Sequence, residues 1–178
     1  MKITTEMLWQ GALLFAILDA ILLPILLWRI KPATFRQMRK ELMAITAIFW
    51  CSLWFWVIRS FWETVYHYFF PEWSRWLIPF LQAGLTTLVA MLAWRLTAKA
   101  RVHPVLGYCL IGGLWGVITH LWAVHRGIVE KPAMLQGALP AAAVIIAFFE
   151  FIFYWCVIII IAVLVHTSWR GRTPDHVT

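Results

Sequence analysis

Residues Ala141–Val165 read AAAVIIAFFEFIFYWCVIIIIAVLV, an unbroken apolar run except for one charge, Glu150. A helix needs about 20 mostly apolar residues to cross the hydrocarbon core of a bilayer. This run exceeds that length and shows none of the polar–apolar alternation of a barrel strand. It is a membrane-spanning helix with a carboxyl at membrane depth.

Working outward, four more segments have the same character: Trp9–Trp28, Leu42–Trp62, Leu77–Leu96 and Val105–His125. Hydrophobic residues make up 63% of the chain and charged residues 13%, with a mean hydropathy of +0.81. That balance lies outside the range of soluble domains. The predicted fold is all-α, a polytopic bundle of five transmembrane helices forming one membrane domain over residues 1–178. The first segment is expected to be retained, because MKITTEMLWQ lacks the basic leader of a secretory signal and no small-residue cleavage site follows.

Net charge is +7, and its distribution speaks for topology rather than nucleic acid. Arg29, Lys31, Arg36, Arg39, Lys40, Arg95, Lys99, Arg101, Arg170 and Arg172 fall on one side of the spans. Lys2, Arg59, Arg75, Arg126 and Lys131 fall on the other, nearly balanced by Glu6, Glu63, Glu72 and Glu130. The richer side is expected in the cytoplasm, which puts the N-terminus outside and the C-terminus inside. The expected location is a plasma membrane, the inner membrane of a bacterium. Trp9, Trp28, Trp62, Trp73, Trp76, Trp94, Trp122 and Trp169 sit near the predicted interfaces. The basic loop Arg29–Glu41 reads either as a topogenic signal or as a segment lying on anionic lipid. In the second outer loop, Pro132, Met134, Leu135 and Leu139 form a short apolar element that could dip into the interface.

Ionisable groups in hydrocarbon are expensive and mark candidate sites. Asp19 shares a helical stripe with Ala12, Ala16 and Leu23. His120 shares one with Cys109, Gly113, Gly116 and Ala123, and Glu150 one with Ala143, Tyr154 and Val157. Small residues allow close helix approach, so all three are expected to point inward. Asp19 and Glu150 lie roughly 14–15 Å below the outer boundary and His120 about 8–9 Å below it. Gln82 lies at a similar depth and Arg59 is shallower. A carboxylate keeps its charge at such depth only beside a cation, for which His120 and Arg59 are the candidates.

Asp19, His120, Glu150, Gln82 and Arg59 together suggest a polar site in the outer half of the bundle, open outward and sealed toward the cytoplasm. Arg59, Glu63 and His67 follow at i, i+4 and i+8 and would form a ladder at its mouth, with Glu63 and His67 at the pocket opening. The plain alternatives are interhelical hydrogen bonds for the buried groups and a solvated charge ladder for the others.

Cys51, Cys109 and Cys156 all fall within spans and form no CxxC, so they read as packing thiols rather than a disulfide framework or metal site. His120 and His125 are separated by five residues and point apart, so they cannot chelate one metal from one helix face. His103 and His166, on different helices at the cytoplasmic interface, could ligate a haem, but no Gly-rich pattern surrounds them and no cofactor is assigned.

P-loop, dinucleotide, nucleophile-elbow and zincin motifs are missing. Three functions fit the residues: a site binding a proton, cation or small ligand, with or without moving it; an accessory or assembly subunit of a membrane complex; and a membrane enzyme for a lipid-soluble substrate. The expected partners are the lipid bilayer and either a membrane protein or a second copy of the chain. Nucleic acid is not expected.

Overall fold

The computed structural model describes residues 4–64, 66–126 and 140–170. Among them are six α-helices and no strand: α1 Thr5–Arg29, α2 Pro32–Gln37, α3 Arg39–Phe61, α4 Ile78–Lys99, α5 Pro104–His125 and α6 Pro140–Arg170. The helix starts are written in the sequence. The Thr4 hydroxyl accepts from the Met7 amide at 3.2 Å, and Pro32, Pro79, Pro104 and Pro140 stand at the first or second position of α2, α4, α5 and α6. Proline lacks an N–H that the first turn could not bond anyway. All helices but α2 are long and apolar enough to cross a membrane, matching the five predicted spans to within a turn or so at each end. The protein is a multi-pass membrane protein built as a helical bundle. The apolar element expected around Met134 lies outside the described residues.

Contacts fix the arrangement. Cys109 meets Cys156, and Gly116 meets Ala147 and Phe151, so α5 and α6 run antiparallel. Gly11 meets Ile146 while Phe15 meets Phe153 and Tyr154, so α1 and α6 run parallel. Trp50 packs on Phe151 and Tyr154, and Glu41 bonds His166, which sets α3 antiparallel to α6. Thus α3, α4, α5 and α6 close a four-helix ring, and α1 lies outside it, mainly against α6.

The ring is tightest between α5 and α6. A Cβ at Gly112 would collide with the Trp155 indole, and one at Gly116 would lie 2.6 Å from the Ala147 carbonyl oxygen. Without lipid–water contrast to drive helices together, such close approach supplies the packing that holds them. Beneath this contact the Tyr108 and Trp155 rings pack at 4.4 Å, tilted by 52°, both fully buried. α2 closes the basic end of the ring: Phe35 and Met38 are fully buried, Phe35 edge-on to Tyr108 at 5.4 Å, while Arg36, Arg39 and Lys40 stay exposed. The basic loop is therefore a plug with a charged outer surface. At that end the His166 Nδ1 and Glu41 Oε1 lie 2.7 Å apart and tie the end of α6 to the start of α3.

Gly116→Val is expected to destabilise the folded protein by about 1–3 kcal/mol, because neither the Ala147 backbone nor the Phe151 ring can give way. Gly84→Ala, where nothing lies within 4 Å, should be neutral or slightly stabilising. Thermal unfolding in detergent measures both, and an unchanged midpoint for Gly116→Val would remove the glycine contact from this account.

Candidate functional site

Asp19 is the most unusual polar group in the bundle. On α1 the buried residues are Ala12, Asp19 and Leu26, one stripe with a seven-residue spacing that faces the ring. Asp19 is 6% exposed, and neither carboxyl oxygen has a hydrogen-bond partner. Gly11 meets Ile146 and Phe15 meets Phe153 and Tyr154, so two turns past Gly11 and one past Phe15 Asp19 lies at about the level of Cys156 on α6. Cys109 Sγ in turn lies 3.7 Å from Cys156 Sγ on α6, and both cysteines are wholly buried. Asp19 therefore occupies the seam where α1 crosses α5 and α6, beside two facing thiols.

Glu150 lies elsewhere. Cys156 is six residues further along α6, about 120° around its axis. Glu150 therefore points away from the Asp19 seam, into the gap between α1 and α3, two helices that hardly touch each other. The Tyr154 hydroxyl, one turn on, donates to Glu150 Oε1. The phenol ring is held by Phe15 of α1 at 6.4 Å and by Phe49 and Trp50 of α3 at 5.5 and 5.8 Å. Glu150 and Tyr154 thus form the polar floor of an aromatic-walled groove between α1 and α3.

His120 occupies a third place. Its Nδ1 lies 3.0 Å from the Gly116 carbonyl oxygen, which only accepts, so the ring N–H is at Nδ1 and a neutral ring offers its Nε2 lone pair. The ring stands edge-on to Phe151 at 5.9 Å. Gln82 is partly buried on α4, and Arg59 is exposed near the end of α3. Among the described residues, no hydrogen bond or ion pair joins any two of Asp19, His120, Glu150, Gln82 and Arg59. Asp19, His120 and Glu150 thus each have their own immediate surroundings, on α1, α5 and α6.

The ladder expected from Arg59, Glu63 and His67 does not form, because α3 ends at Phe61. Glu63 lies in the following turn and pairs loosely with Arg75 at 3.9 Å. His67 sits in a short 3-10 turn, its Nδ1 3.2 Å from the Trp62 carbonyl oxygen. What organises this end is Trp62, buried and donating from Nε1 to Glu72 at 2.8 Å, with Arg75 over its ring and that of Trp76 at 5.7 Å each.

Sequence reasoning passed over three contacts: Cys109 with Cys156, Glu41 with His166, and Trp62 with Glu72. The thiol pair had no visible signal, since Cys109 lies near the start of its span and Cys156 beyond the middle of its own. Among the described residues, no three His, Cys, Asp or Glu side chains are placed to hold a metal ion. His166, weighed above as a haem ligand, is engaged by Glu41.

Tyr154→Phe is expected to cost about 1–3 kcal/mol, because it strands the Glu150 carboxyl in the groove. Glu150→Gln, which keeps an acceptor for the phenol, should cost less. Thermal unfolding of both variants in detergent decides it, and the opposite order would mean that the bond is not what holds Glu150. Comparison with known proteins finds no matching family model, no similar curated protein and no similar solved structure, so function rests on the chemistry of these groups.

Proposed function

We propose that the protein is a proton-binding membrane protein whose working group is the Asp19 carboxyl. One observation carries this reading: a carboxyl 6% exposed, at membrane depth, with both oxygens unpartnered. A buried polar group without a partner destabilises the fold, and leucine at that position would pack at no such cost. A group of this kind is expensive to hold and marks a functional position in a membrane helix.

The surroundings select the proton over a metal cation. Hard cations take six or more oxygen ligands. The seam offers the two carboxyl oxygens and, beside them, two thiols. A proton needs only one of those oxygens. In the topology favoured by the Lys and Arg distribution, the N-terminus of α1 is outside and Asp19 lies near the middle of the membrane, reached along the α1 seam. The bilayer is the surrounding partner, and the basic face of α2 would rest on anionic headgroups.

A second reading rests on the groove between α1 and α3. Aromatic walls with a Glu150–Tyr154 floor suit a lipid-soluble substrate that carries a hydrogen-bond donor. Solvent extraction of protein purified in mild detergent, followed by mass spectrometry, should recover such a molecule from the wild type and much less from Tyr154→Phe with Glu150→Gln. Equal recovery would end this reading.

For the proton site, infrared difference spectra between acidic and alkaline buffer should show a carboxyl band that Asp19→Asn removes and Glu150→Gln leaves in place. Asp19→Leu should unfold at the wild-type temperature or above it while losing the same band. A marked loss of stability in Asp19→Leu, or a spectrum unchanged in Asp19→Asn, would show the carboxyl to be a structural group and overturn the proposal.

A further inference from the structure

We propose that Cys109 and Cys156 form a reversible dithiol–disulfide pair inside the membrane, oxidised by a lipid-soluble quinone, with Asp19 accepting the thiol proton. Three observations meet at this place. The two sulfurs are 3.7 Å apart on neighbouring helices, in contact but unbonded. The glycines that follow Cys109 on α5, Gly112, Gly113 and Gly116, bring the α5 and α6 backbones close enough for the side chains to meet end to end. The Asp19 carboxyl, nine-tenths buried and without a hydrogen-bond partner, lies on the buried stripe of α1 one turn past Phe15, whose ring meets Phe153 and Tyr154, and so at about the level of Cys156.

The chemistry balances. Two S–H bonds break and one S–S bond forms, which releases two electrons and two protons. A quinone takes up the same two electrons and two protons, and its two carbonyl oxygens become the hydroxyls of a quinol. The thiolate is the reactive form of a cysteine, so the pair needs a base at hand. Asp19 is the base that α1 supplies. It holds the first proton until the quinol oxygen receives it.

The oxidant must be lipid-soluble because both cysteines are wholly buried at membrane depth. Its route is along α1, which lies outside the four-helix ring and makes few contacts with α5. Pro24 within α1 removes one backbone hydrogen bond of that helix, so the helix can bend where it covers the pair. Cys51 is on α3 and takes no part.

This inference goes beyond proton binding at Asp19, and its readout is independent, because thiols are counted whether or not Asp19 exchanges a proton with solvent. Reduced protein in detergent micelles is mixed with a short-chain quinone, then denatured and labelled with a maleimide polymer that shifts its mobility. Reduced wild type should take three labels and oxidised wild type one, with the intact mass lower by two hydrogens and a reductant restoring all three. Cys51→Ser should pass from two labels to none, while Cys109→Ser and Cys156→Ser keep two throughout. Asp19→Asn should reach the same end point at least about a hundredfold more slowly, with a rate that rises more steeply with pH.

Three labels after both quinone and diamide treatment would overturn the pair. A disulfide formed by diamide but not by quinone would overturn the oxidant class, and an unchanged rate in Asp19→Asn would overturn the role of Asp19. The mass of the oxidised wild type stands even where a cysteine variant fails to fold.

Discussion

The approach of α5 to α6 at Gly112, Gly113 and Gly116 sets almost everything else in this bundle. Once those backbones touch, Trp155 fills the space over Gly112 and packs tilted on Tyr108, and Phe35 of α2 has a ring to close against. The same approach puts Cys109 against Cys156. It also leaves α6 with three other faces to clothe. α3 takes one through Trp50, α1 takes another through Phe15, and the gap between those two becomes the groove of Glu150. A bulkier residue at Gly116 would push α5 outward and loosen the ring that α3 and α4 complete.

The fold was legible because the forces that decide it are one-dimensional. Length, apolarity and the prolines at helix starts all lie along the chain, and the five spans followed from them. Site geometry needs two further coordinates, axial offset and rotation about each helix, and neither is encoded locally. Asp19, His120 and Glu150 each lie on a small-residue stripe, yet α6 presents different faces to α1, α3 and α5. Stripes that all point inward therefore need not point at one another. Axial offset misled in the same way. α6 runs from Pro140 to Arg170, longer than α5, so depths measured from segment ends do not match Cys109 to Cys156. The Arg59–Glu63–His67 ladder failed for a simpler reason, since its spacing holds only while the helix continues and α3 ends at Phe61.

The two membrane carboxyls answer the same physical problem differently. Glu150 receives a phenol hydrogen bond and aromatic cover, which is how a buried polar group is ordinarily settled. Asp19 receives neither, although a serine or threonine on the facing surfaces of α5 or α6 would have been enough. Thr46, Thr86 and Thr97 show that the bundle can place hydroxyls at buried positions and bond each of them. Asp19 is buried without any such hydroxyl in bonding reach. Trp50, Trp94, His103, Tyr108, Trp155 and His166 also bury a polar atom without a partner, but among the described residues Asp19 is the one carboxyl in that state.

α1 is also the one long helix held chiefly from a single side. The four ring helices hold one another through shared neighbours, so none can move without repacking two interfaces. α1 answers chiefly to α6, carries an internal proline, and turns Leu13, Leu14, Ile17, Ile21 and Ile25 outward. A small swing of α1 would leave the ring intact while uncovering the carboxyl and both thiols together. Proton exchange at Asp19 and electron exchange at the thiols then need one motion rather than two. With the carboxyl on α1 and the thiols on the ring, each such opening would part the base from the thiols and each closure would restore it. A proton taken from the thiol is in this way carried from the ring toward the lipid-facing side, where a quinol oxygen can receive it.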